Sequence, residues 1–286
     1  MLSAFLLVLQ LAHASTDPVQ PQSIYGTDDR REYYEMTSPL VRRHFRSVAA
    51  MFEPEYIKPG LGGADLVFST AQQEANLCSS ERFAQQIAAA SCTAALVGPN
   101  IILTAGHCVK SQAECRKLSF AFDYLMSSPV EMPRRIPGEN LYGCKRLLAR
   151  EANQYLDYAF IELDRAVSNR PFFQFDVKHE VQTGERLFII GSPIGLPLKI
   201  GDGYVRDSAE EDSFETNLDT YEGNSGSPVF SLQNGFIVGI LVNGEDDFVD
   251  QGKCRVSKRC KDNECKGEQV ARITSILADF YKKTRP

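Results

Sequence analysis

Gly223-Asn224-Ser225-Gly226-Ser227-Pro228 sets one hydroxyl in a tight turn with glycine two residues before it and one after. Glycine at 223 lets the backbone come close to a bound carbonyl, and Gly226 keeps the space behind the hydroxyl clear. The N–H groups of Gly223 and Ser225 are then candidate donors to a developing oxyanion. Losing one such donor typically costs about a hundredfold or more in rate. On its own such a Gly-x-Ser-Gly turn is most often a plain Gly/Ser/Pro connection between strands. Two other segments supply the partners that a serine nucleophile needs. Leu103-Thr104-Ala105-Gly106-His107-Cys108 carries an imidazole, and Asp157-Tyr158-Ala159-Phe160-Ile161-Glu162-Leu163 carries a carboxylate. A serine hydroxyl is a weak nucleophile until a histidine takes its proton. A carboxylate behind the ring fixes the tautomer and stabilises the imidazolium. The candidate constellation is therefore His107, Asp157 and Ser225, in that chain order.

The elements around these residues are legible as well. Ala94-Ala95-Leu96-Val97 and Ile101-Ile102-Leu103 flank a Gly98-Pro99-Asn100 turn, which predicts a hairpin ending in a short helical turn at His107. Asp157 opens a strand in which Ala159, Ile161 and Leu163 alternate inward, and a buried carboxylate there needs a partner. Pro228-Val229-Phe230 begins a buried strand. His44, in a basic helical stretch, and His179, between Lys178 and Glu180, read as surface residues.

With the three blocks in this order, the chain resembles the trypsin-like serine proteases of the double β-barrel fold, most clearly over residues 90–245. Asn224 before the serine, and Ile24-Tyr25-Gly26-Thr27-Asp28-Asp29-Arg30, are similar to the bacterial glutamyl-endopeptidase branch. The resemblance implies an all-β fold of two antiparallel six-stranded barrels with a C-terminal helix. It implies a serine endopeptidase that works through an acyl-enzyme with no cofactor and no metal, on protein or peptide substrates, as a monomer. A bridge between Cys92 and Cys108 across the His107 hairpin follows from the same family. Cys115 with Cys144 is the second expected pair. The pairing of Cys78, Cys254, Cys260 and Cys265 stays open. A zinc site on the last three is disfavoured by their spacing and by an oxidising compartment.

The resemblance gives two conflicting expectations for specificity. The glutamyl-endopeptidase branch suggests cleavage after Glu, but Leu241 stands where that branch keeps a pocket histidine. Asp219 lies where trypsin-like enzymes keep a pocket-floor aspartate, with Thr220, Leu241, Val242 and Gly244 as further wall residues. On that ground a preference for Arg or Lys is predicted, with a turn-capping Asp219 as the alternative. Asn224 is neutral, so it cannot take the activating N-terminal ammonium that an aspartate receives in the digestive enzymes. By resemblance, cutting near Ser23-Ile24 would free an amine that docks near the pocket. Two other functions use the same residues: a non-catalytic binding protein on this fold, and an esterase or transferase sharing the acyl chemistry.

The chain has 286 residues, a formal net charge of −6, 43% hydrophobic and 24% charged residues and no tryptophan. These are values of an ordinary globular protein, and they point to neither nucleic acid nor an acidic membrane as partner. Residues 1–14 read as a signal peptide whose apolar core is too short to span a bilayer. The eight cysteines then suggest four disulfides and a secreted or periplasmic location. The expected organisation is a signal peptide at 1–14 and an arm or propeptide with an extra helix at 15–63. A first barrel follows at 64–165, and a second barrel with the C-terminal helix at 166–286. The extra helix is read over 38–52, with no function assigned, and the C-terminal helix over 268–282.

Overall fold

The computed structural model describes residues 23–284, so the expected signal peptide lies outside the described residues. Six strands close the first barrel: Val48–Phe52, Cys92–Gly98, Ile101–Thr104, Ser119–Phe122, Leu141–Ala152 and Asp157–Leu163. Six more form the second ring: Arg186–Gly191, Lys199–Asp207, Ser213–Thr216, Pro228–Ser231, Ile237–Asn243 and Glu268–Arg272. The Arg186 and Lys199 strands pair to close it. Every barrel pairing is antiparallel. The architecture is the expected double barrel.

Strand alternation builds the three apolar cores that frame the site. Met51, Leu96, Ile102, Phe120 and Ile161 fill the first barrel. Leu187, Ile189, Phe214, Val229 and Leu241 fill the second. A third core lies between the barrels, where Leu103, Tyr158 and Phe160 meet Phe188, Phe230 and Ile240. Neighbouring residues of one strand thus serve different cores, since successive side chains point to opposite faces. Ile161 fills the first barrel while Phe160 joins the core between the barrels.

Three local expectations are corrected. The helix read over 38–52 is two elements. Ser38 caps a short helix at Pro39–Phe45, and Val48–Phe52 is a barrel strand buried throughout. The first barrel therefore includes chain before residue 64. Val48, Ala49 and Phe52 suit helical spacing and strand burial alike, and pairing with the Cys92 and Ser119 strands decides the outcome. The C-terminal helix runs Ile273–Thr284, because Glu268–Arg272 is needed as a barrel strand. Residues 23–35 are no loose arm. Ile24-Tyr25 pairs with Arg259-Cys260, and Arg31-Glu32 joins the edge of the second barrel at Lys199-Ile200.

His44 is also corrected: it is buried, with its ring against Phe173, Phe188 and Phe230. Its two nitrogens meet the carbonyls of Leu40 and Gly235. Disulfides join Cys92–Cys108, Cys115–Cys144, Cys78–Cys254 and Cys260–Cys265. The cysteines of the zinc alternative are thereby used. Among the described residues no helix is long and apolar enough to cross a membrane.

Candidate active site

His107 stands in a one-turn 3-10 helix, Gly106–Cys108, just past the Ile101–Thr104 strand. That turn is pressed against two paired strands. A side chain at Gly106 would come within 1.7 Å of the Glu151 carbonyl and 2.7 Å of the Tyr158 carbonyl. The Arg150 guanidinium donates to the Gly106 carbonyl at 2.8 Å, and the Cys92–Cys108 bridge ties the far side. Asp157, at the head of its strand, grips the histidine twice. Its Oδ1 accepts the His107 backbone N–H at 2.9 Å, and its Oδ2 lies 2.5 Å from the ring Nδ1. The ring is thus held through Nδ1, which leaves Nε2 as the nitrogen available for proton transfer.

Ser225 belongs to the second barrel, but the first barrel holds its turn. Gly223 and Gly226 have φ of +92° and +82°, conformations that a side chain resists. At Gly226 a Cβ would sit 2.2 Å from Thr104 Oγ1 and 2.3 Å from the Thr93 carbonyl. The serine turn is therefore packed directly on the strands that lead into His107. Thr93 makes most of this junction. Its N–H donates to the Ser225 carbonyl at 2.9 Å, and its hydroxyl to the Gly223 carbonyl at 3.0 Å. The same hydroxyl accepts the Ser192 N–H at 3.0 Å. Sequence reasoning missed Thr93. A buried threonine one residue after Cys92 was the available signal, but nothing local says which loop it meets.

Glu222 precedes the expected oxyanion donor. Its carbonyl accepts the Ile194 N–H. In a trans peptide the N–H lies opposite the C=O, so the Gly223 N–H points away from the Pro193–Gly195 turn. A cleft of about 350 Å³ runs past this point, with Ala90, Ser91, Ile194, Glu222 and Gly223 among its walls.

The expected pocket residues are differently placed. Asp219 is 3% exposed, and its carboxylate accepts the backbone N–H groups of Tyr25 at 2.7 Å and Asp29 at 3.0 Å. Asp219 thus holds the 23–32 segment in place with both oxygens, which favours the turn-capping alternative over a pocket-floor charge. Leu241 also points inward, packing with Val229, Val238 and Val270 in the barrel core. Val242 is half-buried and Gly244 buried. Thr220 donates its hydroxyl to Glu268 Oε2 at 2.5 Å.

Glu268 was missed by sequence reasoning. It is fully buried and also accepts from the Ser23 N–H, the Tyr25 hydroxyl and the Glu245 N–H. Burial pushes its carboxyl up to about 8, and that of Asp219 up to about 7. Glu245 pairs with Lys258 at 2.8 Å. Cys92, His107 and Cys108 bring ligand-type atoms together, but the disulfide engages both sulfurs, so the group does not fit a metal.

No curated protein matches the chain. Among solved structures it is similar to a Glu endopeptidase in complex with MPD. The identity is 18% and the TM-score 0.52, over 91% of this chain and 98% of that one. It is also similar to an inactive Ser343Ala mutant of Rv3671c from M. tuberculosis H37Rv. There the identity is 13% and the TM-score 0.50, over 87% and 93% of the two chains. At these identities the likeness is one of fold. The sequence profile of the trypsin-like peptidase domain matches residues 92–240, which contain the His107, Asp157 and Ser225 segments. The chain belongs to the trypsin-like peptidase family.

Proposed function

We propose that this protein is a serine endopeptidase that hydrolyses peptide bonds through an acyl-enzyme on Ser225. His107 takes the serine proton through Nε2 and returns it to the leaving amine. Asp157 fixes the tautomer and stabilises the imidazolium. The N–H groups of Gly223 and Ser225 hold the oxyanion. The observation that carries this reading is the double grip of Asp157 on His107, 2.5 Å at Nδ1 and 2.9 Å at the backbone. A purely structural aspartate would have no need to orient the ring. The four disulfides favour an oxidising compartment, so we place the protein outside the cytoplasm, secreted or periplasmic. Its working form is a monomer in which two half-domains, meeting near 165, share one cleft.

The preference for Arg or Lys before the scissile bond is kept on the trypsin-like resemblance alone, because burial favours the protonated form of the Asp219, Asp247 and Glu268 carboxyls and Lys258 neutralises Glu245. A fluorophosphonate probe tests the core reading: labelling is expected at Ser225 and absent in Ser225→Ala. An unlabelled, folded wild-type protein would sink the peptidase and leave a binding protein. Matched peptides and esters with Arg, Lys or Glu at the cleaved position test the rest. Faster turnover of esters alone points to an esterase, and faster cleavage after Glu overturns the basic preference.

A further inference from the structure

We propose that Asp247 is a positioning residue for the oxyanion hole, anchoring Glu222 by its N–H so that the next peptide presents the Gly223 N–H to the reacting carbonyl. The proposal rests on the serine-peptidase reading of Ser225. Asp247 Oδ2 accepts the backbone N–H of Glu222 at 3.0 Å. Three successive carbonyl or N–H groups around the expected donor are then fixed. Asp247 holds the Glu222 N–H, Ile194 the Glu222 carbonyl, and Thr93 the Gly223 carbonyl. Turning the Gly223 N–H over breaks the Ile194 bond to the Glu222 carbonyl, and Asp247 keeps Glu222 within reach of Ile194 by holding the preceding peptide. Gly223 itself offers no resistance, because glycine at φ +92° tolerates either orientation of the flanking peptide.

The Ile194 contact comes from a residue with φ of +44°, a costly conformation for a β-branched side chain. Such strain persists only where the surroundings over-determine it. Glu222 is thus held by its carbonyl from a strained loop and by its N–H from Asp247, through the two peptides it joins.

Asp247 can act this way because it is itself rigidly held. It is 3% exposed, and its carbonyl accepts the Lys258 N–H at 2.8 Å. It stands at the foot of the hairpin Phe248–Gln251/Cys254–Ser257. That hairpin is tied to the first half of the chain by the Cys78–Cys254 bridge and by two backbone hydrogen bonds of Arg255, to Asn76 and Cys78. Phe248 packs its ring on Tyr221, one residue before Glu222. Burial pushes the Asp247 carboxyl well above the usual range, with Glu268 and Glu222 adding to the effect and the Glu222 N–H and Arg30 opposing it. An asparagine amide is therefore a close mimic, with an oxygen still able to accept from Glu222.

The test compares Asp247→Val, which has similar shape and no acceptor, with Asp247→Asn. Rates are divided by the fraction of protein that the fluorophosphonate labels. Asp247→Val is expected to lower kcat by roughly 10–100-fold, below the loss of a whole oxyanion donor, with KM within about threefold. Its affinity for a peptide boronate should fall in parallel, because the tetrahedral adduct uses the same donor. Asp247→Asn should restore kcat to within about fivefold of wild type. If Asp247→Val does not fold, Asp247→Ser takes its place, since a shorter hydroxyl cannot span the same gap. A merely structural aspartate would lower Tm and leave kcat per labelled site unchanged, and that result overturns the proposal. So does an Asp247→Asn variant as slow as Asp247→Val. Wild-type protein that neither labels nor cleaves sinks the peptidase reading and this one together. Labelled, active wild type with an unchanged Asp247→Val sinks this one alone.

Discussion

The first barrel places His107 and Asp157 with its own strand ladder and short-range crosslinks. The second barrel places the Ser225 turn with groups brought from far along the chain. In the first, Asp157 pairs with Ala152 and Ala159 with Thr104, and the bridges Cys92–Cys108 and Cys115–Cys144 span separations of 16 and 29. In the second, Thr93 crosses from the other barrel, Ser23 to Asp29 arrive from the N-terminal side, and the Asp247 hairpin is tied by a bridge of separation 176. The first half leaves its site partly open, with His107 24% and Asp157 17% exposed. The second surrounds its turn with buried carboxylates that have few cations. A general base needs one fixed ring, which neighbouring strands can supply. A nucleophile turn with an oxyanion hole needs several peptides fixed at once, and a single hairpin does not offer enough donors and acceptors.

The largest expected effect removes the chemistry that the two barrels share. Ser225→Ala or His107→Ala should lower turnover by about a millionfold, with little further loss when combined. Single-turnover measurements on purified, folded protein check this, and near-normal rates in either variant would end the common-site picture.

Next comes the close approach on which the first barrel relies. Gly106→Ala forces a Cβ onto the Glu151 backbone, so a loss of more than about 4 kcal/mol is expected, from an enforced clash at a buried backbone contact. Denaturant unfolding, or failure to recover soluble protein, reads it out. A stability within 1 kcal/mol of wild type would mean that the turn is not pressed on the strands.

The crosslinks separate the two halves more finely. In the chain-entropy model, removing Cys78–Cys254 costs about 5 kcal/mol and removing Cys115–Cys144 about 3.5. Only the first should also slow kcat, by roughly tenfold, because its hairpin carries Asp247. Equal effects on kcat from Cys78→Ser/Cys254→Ser and Cys115→Ser/Cys144→Ser would erase the distinction drawn here.

The smallest effect reports on the buried acids of the second barrel. Glu268 holds a proton in the folded state up to about pH 8, whereas the unfolded chain releases it near an ordinary 4.5. Its contribution to stability is therefore complete below about 4.5 and lost as pH rises through 8. Asp219 acts with the same sign, up to about 7. Tm should fall between pH 5 and 8.5, at roughly 2–4 °C for each kcal/mol, and Glu268→Gln should flatten that fall. An unchanged slope in the variant would show that Glu268 is not the group involved.

His107, Asp157 and Ser225 could be named from sequence because each is embedded in a stretch whose local preferences dictate its surroundings. A hairpin, a strand head and a double-glycine turn all form from near neighbours. The order of the three blocks then identified the family. The Cys92–Cys108 bridge was reachable through the family resemblance, whereas Cys260–Cys265 stayed open although its partners are only 5 residues apart. Asp219, Leu241, Val48 and His44 were hard to read for one physical reason. Each is a residue whose local pattern fits two environments, and the choice was made by distant chain. Tyr25 and Asp29 turned Asp219 inward, alternation within the barrel core turned Leu241 inward, strand pairing overrode helical spacing at Val48, and a ring of phenylalanines buried His44. Sequence by itself determined which groups are available for the chemistry and the double barrel that carries them. Only tertiary structure decided how the carboxylates Asp219, Asp247 and Glu268 are used, because a buried acid takes whatever donors the fold brings to it, and those donors lie about twenty to nearly two hundred and fifty residues away.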